Sequence, residues 1–170
     1  MRVNLPVTQR ENTTFSDEEL ICSKTDREGI ITYANRVFSR ISGFSERELI
    51  GAPQNITRHP DMPCVVFAWC WETLQAGSDW RGIVKNRCKN GDHYWVEANI
   101  YPQVDAGGAV LGYASIRRKP TAGQVTKADA LYAKLRRAEG GVEARAKLSR
   151  QAVMELYRNS PLYRLRSEAA

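Results

Sequence analysis

Alternation of apolar and polar residues marks two short strands near the start of the chain. Leu20–Thr25 and Ile30–Tyr33 show the period of two that is typical of half-buried strands, and Asp26–Gly29 favours a tight turn between them. Later in the chain, three more alternating stretches predict antiparallel strands: Trp80–Cys88, His93–Val104 and Ala109–Arg118. Asn90-Gly91 lies between the first two and Gly107-Gly108 between the last two, and both pairs favour a hairpin turn.

Short helical segments separate the two groups of strands. Asn35 is placed to cap a helix that ends at Gly43, and Ser45–Glu48 has the spacing of a capping box. Pro63 suits the first position of a longer helix that runs to about Ala76. The apolar residues of that helix recur at helical spacing, and they are Val66, Phe67, Cys70, Trp71 and Leu74. The pattern predicts an α+β fold with a five-stranded antiparallel sheet and short helices on one face.

A change of pattern after residue 119 predicts a C-terminal helical extension. Apolar residues follow a helical period from Gln124 to Gly140-Gly141, which interrupts it, and a second amphipathic stretch ends at Pro161. We divide the chain into an N-terminal arm at 1–18, an α+β domain at 19–119 and the extension at 120–170. The extension is interpreted as an output element or as a contact between two copies of the chain.

The formal net charge of +6 is concentrated in the extension. Lys and Arg outnumber Asp and Glu by 10 to 5 in residues 120–170, but only by 15 to 14 in residues 1–119. A basic patch of this kind either binds an anionic surface or forms the solvated face of a helix. We favour the solvated face and expect no nucleic-acid partner.

Several classes of protein are disfavoured by what the sequence lacks. No apolar run reaches the roughly 18 residues that a membrane span needs, and the N-terminus has no apolar signal-peptide core, so a cytoplasmic location is expected. The four cysteines show no metal-ligand spacing, and reduced, partly buried thiols with no metal site are expected. No activated nucleophile, carboxylate pair or phosphate-binding glycine loop is evident, which disfavours an enzyme.

The alternation in the last three strands points to a flat internal slot. The inward set of the third strand contains an amide, Asn86, where an apolar residue is expected, and a buried amide needs hydrogen-bond partners. Small residues recur on the same predicted face, and they are Gly82, Ala98, Gly112 and Ala114. In the fifth strand the predicted inward set is Val110, Gly112, Ala114 and Ile116. Such a slot suits a planar heterocycle facing Trp71, although close packing of helices there is the alternative.

Two prolines rigidify the segment Thr57–Pro63, which carries three polar side chains: Arg58, His59 and Asp61. Arginine binds phosphate bidentately and histidine adds a donor, so a ring that carries a phosphate or pyrophosphate would suit this bend. A local salt bridge within the bend is the alternative. A third interpretation makes His59 the ligand of a heme iron.

Three stretches carry a family resemblance: Asn55–Pro63, Trp80–Arg87 and Lys89–Val96. In their order and spacing they resemble the PAS domain of bacterial aerotaxis receptors, and the likeness extends over residues 7–118. It implies a PAS fold that holds non-covalent FAD, whose redox state reports respiratory electron flow or oxygen. The implied signal passes to a methyl-accepting signalling domain and then to a chemotaxis kinase.

The resemblance also implies a flavin site. Asn86 would bond the flavin ring and sense its protonation change on reduction, passing that change through the sheet to Arg117, Arg118 and the extension. Trp71 would pack on the adenine or the isoalloxazine. The implied cofactor-binding residues are Asn35, Arg58, His59, Asp61, Trp71, Asn86 and Tyr94. Cys64 falls outside the position of the reactive cysteine in flavin photosensors, so no photoadduct is expected.

The leading hypothesis is therefore an FAD-binding PAS redox or oxygen sensor in signal transduction, acting in aerotaxis or energy taxis. Its expected partners are FAD, a second copy of the chain and a chemotaxis-type signalling protein. The membrane anchor and signalling coiled coil of aerotaxis receptors are not found in these 170 residues, so the chain is either a stand-alone sensor or part of a longer receptor. The alternatives are a PAS sensor of heme or a small metabolite, and an interaction module without a cofactor.

Overall fold

The computed structural model describes residues 6–141, 144 and 147–163. Its strands are β1 (Ile21–Asp26), β2 (Ile31–Ala34), β3 (Trp80–Arg87), β4 (His93–Val104) and β5 (Val110–Arg118). They form one antiparallel sheet in the order β2-β1-β5-β4-β3, so β2 and β3 are its edges. This confirms the five-stranded antiparallel sheet predicted from the alternation.

The helices of the described residues are α1 (Arg36–Ser42), α2 (Glu46–Leu49), α3 (Cys64–Gln75), α4 (Ala122–Ala138) and α5 (Arg150–Arg158). The first four begin and end close to the predicted positions, but α5 begins later than the second amphipathic stretch predicted after Gly140-Gly141, because residues 147–149 are not helical. A 3-10 turn occupies Gln54–Thr57. Gly43 ends α1 in the left-handed conformation at φ 73°, which a residue without Cβ adopts at little cost. Pro63 caps α3 instead of forming its first helical residue.

The register of the sheet decides which side chains face inward. Ala98 of β4 lies opposite Arg117 of β5, and Ile100 lies opposite Ser115. Because directly paired residues share a face, the inward residues of β5 are Tyr113, Ser115 and Arg117. The predicted inward set of this strand is therefore wrong, since it places Ile116 inside, where the structure leaves it 38% exposed.

Gly82 and Gly112 do not leave open space in the predicted slot, because neighbouring atoms occupy the place of their missing Cβ. A Cβ on Gly82 would lie 2.4 Å from the indole of Trp80, which covers that glycine. A Cβ on Gly112 would lie 2.1 Å from the carbonyl oxygen of Thr25 on the neighbouring strand β1. Both glycines accommodate the close approach of neighbouring atoms. Of the four small residues predicted to form the slot, Ala98 and Ala114 line the cavity that the structure contains.

The proline-rich bend covers the exposed edge of the sheet at β3. Arg58 forms an isolated antiparallel bridge with Asn86. Further along, the sulfur of Met62 accepts a hydrogen bond from the amide of Lys85 at 3.3 Å. Since side chains alternate along an extended chain, Arg58 and His59 leave the bend on opposite sides of this edge.

The C-terminal extension packs on the domain through its helices. The hydroxyl of Tyr132 in α4 donates to the carbonyl of Ile83, and its ring stacks on that of Trp95 at 6.4 Å between centroids. At the end of α4, the carboxylate of Glu139 accepts a hydrogen bond of 2.9 Å from the amide of Val65. That amide belongs to the first turn of α3, where backbone N–H groups lack helical partners. Glu139 therefore joins the extension to the start of α3.

Replacing Glu139 with alanine should loosen this junction. The change removes a buried acceptor from a helix N-terminus, so we expect a loss of about 1 to 2 kcal/mol in the free energy of unfolding. Urea unfolding measures this loss, and hydrogen exchange at Val65 should accelerate. Lys134→Ala, on the exposed side of the same helix, is the control and should stay within about 0.5 kcal/mol of the parent. Equal effects of the two changes would contradict the proposed junction.

Candidate ligand cavity

A cavity of about 430 Å³ lies between the inward face of the sheet and the segments that cover it, the 3-10 turn and α3. This volume is within the roughly 300–1,000 Å³ typical of small-molecule sites. Strands β1, β3, β4 and β5 all contribute lining residues. The register described above therefore creates the cavity, because it turns alternate side chains of four strands toward α3.

One end of the cavity is polar and buried. Asn86 of β3 and Arg117 of β5 line it, at 5% and 4% exposure. Ser23 of β1 lies beside Arg117, where its hydroxyl accepts from the guanidinium of Arg117 and donates to the side-chain oxygen of Gln54 at 3.3 Å. This end offers both donors and acceptors to a heterocycle with polar edges.

The other end of the cavity is mainly aromatic and opens to solvent. Trp80 and Tyr113 line its walls, and Trp71 lies at the rim with 37% of its surface exposed. The rings of Trp71 and Tyr113 meet edge to face at 5.3 Å between centroids. Gly29 lies against the indole of Trp71, with the position of a Cβ 3.5 Å from the ring. The predicted Trp71 thus belongs to the cavity, at its mouth.

Arg58 also lines the cavity, as predicted. Its guanidinium lies over the ring of Phe67, 4.2 Å from the centroid, and donates to the sulfur of Cys64 at 3.4 Å. The described residues contain no carboxylate within ion-pair distance of Arg58. Arg58 therefore takes no part in the local salt bridge that is the alternative to a ligand contact. The close pair within the bend is His59 Nδ1 and the Asp61 carboxylate at 3.6 Å.

His59 and Asp61 lie on the opposite side of the sheet edge and do not line the cavity. Asp61 pairs with Lys85 at 2.9 Å, and the Nδ1 of His59 accepts from the amide of Asp61 at 3.1 Å. The backbone carbonyl of Asp61 accepts from Arg136 of α4 at 2.9 Å. The bend therefore presents one residue to the cavity and two to the region beneath the extension.

Burial and nearby cations keep the imidazole of His59 neutral. His59 is 2% exposed, and its ring meets that of His93 edge to face at 5.9 Å between centroids. Burial, together with the charge of Lys85, lowers the pKa of His59 to about 4. Burial opposes ionisation of Asp61 as well, but its hydrogen bond to Lys85 holds its pKa below the ordinary value. At neutral pH the group is thus a carboxylate–ammonium pair beside two neutral rings.

Tyr94 lies next to the cavity, although it is not part of the lining. It pairs with Asn86 across the sheet and is 1% exposed. Burial raises the pKa of Tyr94 well above its ordinary value, and the side chains of Thr57 and Asn86 lie beside its hydroxyl. A buried neutral phenol at this position can hold the side chain of Asn86 in place through its hydroxyl.

Asn35 lies away from the cavity, at the start of α1. Its side-chain oxygen accepts from the amides of Phe38 at 3.0 Å and Cys22 at 3.1 Å. Its side-chain nitrogen donates to the carbonyl of Leu20 at 2.9 Å. The amide group thus ties β1 to α1, so a contact with a cofactor would require these bonds to break.

Arg117 is the main lining residue that the sequence analysis did not place in the cavity. The sequence analysis took the more apolar face of β5 as the inward one. In the structure the inward face is the more polar one, which carries Tyr113, Ser115 and Arg117. One signal was present in β1, whose residues Ser23 and Thr25 give the same mixed polar pattern on the inward face of the neighbouring strand. Two polar inward faces side by side indicate a ligand site more strongly than one amide alone.

The chain belongs to the PAS family, because the sequence model of the PAS fold matches residues 31–117. It is also 46% identical over 127 residues to the aerotaxis receptor of Escherichia coli (strain K12), a match that covers 75% of this chain and 25% of the receptor. The nitrogen fixation regulatory protein of Klebsiella pneumoniae is 28% identical over 106 residues, which cover 62% of this chain and 21% of that protein. The matched region thus spans about a quarter of these relatives or less.

Solved structures support the same fold. The PAS domain of a protein from Colwellia psychrerythraea matches with a TM-score of 0.56 and 22% identity, covering 60% of this chain and 86% of that one. The light-state structure of the blue-light photoreceptor Aureochrome1 LOV matches with a TM-score of 0.58 and 16% identity, covering 66% and 89%. The predicted family and fold are therefore confirmed. Within the described residues, no helix combines the length and apolar character required to cross a bilayer.

Acidification should destabilise the protein through His59. Its pKa falls from 6.5 to about 4 on folding, so the unfolded chain binds more protons between these values. Stability therefore rises with pH through this window and is lost as pH falls through it. We expect the melting temperature to drop between pH 7 and pH 5, and His59→Gln to show a shallower drop. Burial also lowers the pKa of His93, so His93→Gln is the comparison. An unchanged pH slope in His59→Gln would exclude this role of His59.

Proposed function

We propose that this chain is an FAD-binding PAS sensor that reports the redox state of its cofactor to a signalling partner, in aerotaxis or energy taxis. The observation that carries the proposal is the cavity, with a buried polar end at Asn86 and an aromatic mouth at Trp71. Support also comes from the similarity to the Escherichia coli aerotaxis receptor. A homodimer and a chemotaxis-type partner belong to the same proposal, as does a cytoplasmic location.

The lining residues fit a flavin. A tricyclic ring has two faces that stack on apolar walls and one edge that is rich in hydrogen-bonding atoms. Here Val84 and Val96 line the sheet side, Leu74 lines the helix side, and Asn86 lies at the polar end. The indole nitrogen of Trp80 is buried without a hydrogen-bond partner among the described residues, and a ligand acceptor would satisfy it. When bound, a flavin supplies reversible uptake of electrons and protons at its ring.

Each predicted residue of the lining has a separate task in this proposal. Asn86 can donate from its nitrogen or accept at its oxygen. If a ligand atom changes from acceptor to donor, rotation of the Asn86 amide can therefore restore the hydrogen bond. Arg58, with no carboxylate partner, is available to a phosphate oxygen. Trp71, at the exposed mouth, suits the adenine end of a dinucleotide, which would leave the cavity there.

The bend gives a route from the cavity to the extension. Its backbone bridge joins Arg58 to Asn86, and the carbonyl of Asp61 accepts from Arg136 of α4. A shift of Asn86 would therefore act on α4 through the four successive residues Arg58–Asp61 of a rigid segment. The route expected from the sequence differs, because it passes through the sheet to Arg117, Arg118 and the extension.

A heme-binding alternative receives little support from the site. The chain has two histidines, and neither His59 nor His93 lines the cavity. Histidine coordination of a heme iron would require the bend to turn its imidazole through the sheet edge. The cavity therefore favours a flavin over a heme held by histidine.

The absorption spectrum of the purified protein tests the proposal directly. We expect flavin bands as isolated or after reconstitution with FAD, and no Soret band. Asn86→Ala and Arg58→Ala should each weaken FAD binding by about tenfold or more, because each removes a ligand hydrogen bond. Asn99→Ala, which changes an amide on the opposite face of the sheet, is the matched control and should bind like the parent. A protein that remains colourless after reconstitution would exclude the proposal, and a Soret band would select heme.

Transmission through the bend can be measured by hydrogen exchange in α4. We expect chemical reduction of the FAD-loaded protein to change exchange in Ala122–Ala138. Asp61→Asn weakens the pairing with Lys85 and should reduce this change while leaving FAD bound, since Asp61 does not line the cavity. Glu97→Gln, which weakens an ion pair with Arg118, is the control. If Asp61→Asn leaves the exchange response intact and Glu97→Gln abolishes it, the signal follows β5 instead.

A further inference from the structure

Arg117 is a buried cation without a counter-ion among the residues that the structure describes. It is 4% exposed, and its Nε has no hydrogen-bond partner in the part of the chain that the structure describes. The guanidinium donates to the hydroxyl of Ser23 and lies over the ring of Phe38 at 4.5 Å. Neither neighbour carries a negative charge, so the hydroxyl and the ring face stabilise the cation in part without neutralising it.

No anionic group near Arg117 compensates for it. Arg117 forms no ion pair among the described residues, and the titratable groups that act on it are Tyr94 and Cys22. Among the described lining residues Glu28 is the one carboxylate, and it follows the far end of β1. Arg117 pairs with Ile21 at the near end. Five residues of strand, about 16 Å, separate Ile21 from Asp26.

Such a charge is costly for a folded protein. An arginine stays protonated at neutral pH, and taking an unpaired charge out of water costs several kcal/mol even after relaxation. Burial lowers the pKa of Arg117, as expected for a cation held against this cost. Buried groups that lower stability in this way are found where function requires them.

We propose that Arg117 selects the ligand of this cavity, by binding a negatively charged or strongly electron-rich oxygen that the ligand places at the buried polar end beside Asn86. The inference deepens the proposed function and rests on it for the identity of the ligand. In a flavin nucleotide, the shared chemistry is supplied either by the carbonyl-bearing pyrimidine edge of the ring or by a phosphate. Arg117 and Asn86 both act on the buried hydroxyl of Tyr94, away from the open mouth at Trp71, and this favours the ring edge.

A ring edge at Arg117 has a consequence for reduction. Electron uptake adds negative charge to the flavin ring, and a fixed cation nearby stabilises that charge in a site shielded from water. Arg117 would then raise the midpoint potential of the bound cofactor. A phosphate at Arg117 would leave the ring too far away for a comparable effect.

The test uses the full chain with three substitutions. Arg117→Met keeps much of the length and apolar contact but removes the charge, and Arg117→Lys keeps the charge but not the planar fork. Arg118→Met is the matched control, because Arg118 is the next residue of β5, is exposed, and pairs with Glu97 on the other face. Two quantities are measured: the melting temperature of the flavin-free protein, and the dissociation constants of riboflavin, FMN and FAD.

Arg117→Met is expected to raise the melting temperature of the flavin-free protein and to weaken flavin binding by about 10- to 100-fold, the range for a lost hydrogen bond to a charged group. Arg117→Lys should bind more tightly than Arg117→Met, and Arg118→Met should change neither quantity. Unchanged affinity in Arg117→Met, or a lower melting temperature of its flavin-free form, would overturn the inference. Unchanged affinity would exclude Arg117 from ligand binding, and a lower melting temperature would make Arg117 a structural residue.

The three flavins identify the part of the ligand that meets Arg117. Equal weakening for riboflavin, FMN and FAD, with a lower midpoint potential in Arg117→Met, supports the ring edge. Weakening confined to FMN and FAD, with the potential unchanged, supports a phosphate. If no flavin binds to the parent protein, the proposed function fails. A higher melting temperature in Arg117→Met would still then show an uncompensated charge that awaits another anionic ligand.

Discussion

The rest of the structure depends on the pairing of the proline-rich bend with the edge of the sheet. Through the bridge between Arg58 and Asn86, the bend covers strand β3, whose backbone groups would otherwise face solvent. Alternation along the bend then sends Arg58 toward the cavity, and His59 and Asp61 to the other side. One short segment thus closes the cavity and forms the surface on which the end of α4 rests. Its two prolines stiffen the segment, so displacement at one end is transmitted to the other.

Charge is distributed unevenly across the sheet. The outward side holds a paired set around Asp61 and Lys85, where carboxylate and ammonium satisfy one another and neighbouring histidines stay neutral. The cavity side holds Arg58 and Arg117 without carboxylate partners among the described residues. A purely structural core would pair or omit such charges. The asymmetry is therefore typical of a site that acquires its negative charge from a ligand.

Helix α4 of the extension is held on the domain by three hydrogen bonds. Tyr132 bonds to the backbone of β3, Arg136 to the bend, and Glu139 to the first turn of α3. These three contacts come from the C-terminal half of α4 and its cap. They reach β3, the bend and α3, which border the cavity on its β3 side. These contacts would let a change in the cavity wall act on the extension without passing through the rest of the sheet. This arrangement fits an output role for residues that the sequence marks only as basic and helical.

The sequence by itself determined the elements, their order and the family. Glycine and proline positions, caps and alternation are local signals, and they placed the five strands, Asn35, Gly43 and the bend correctly. They also identified Arg58, Trp71 and Asn86 as residues of the cavity. Only the tertiary structure decided which face of β5 turns inward, because that depends on register with β1 and β4 and not on the apolar count of one strand. For the same reason, only the tertiary structure could place Arg117 in the cavity and His59 and Asp61 outside it. Which side of the sheet a residue faces is defined only when the strands have paired.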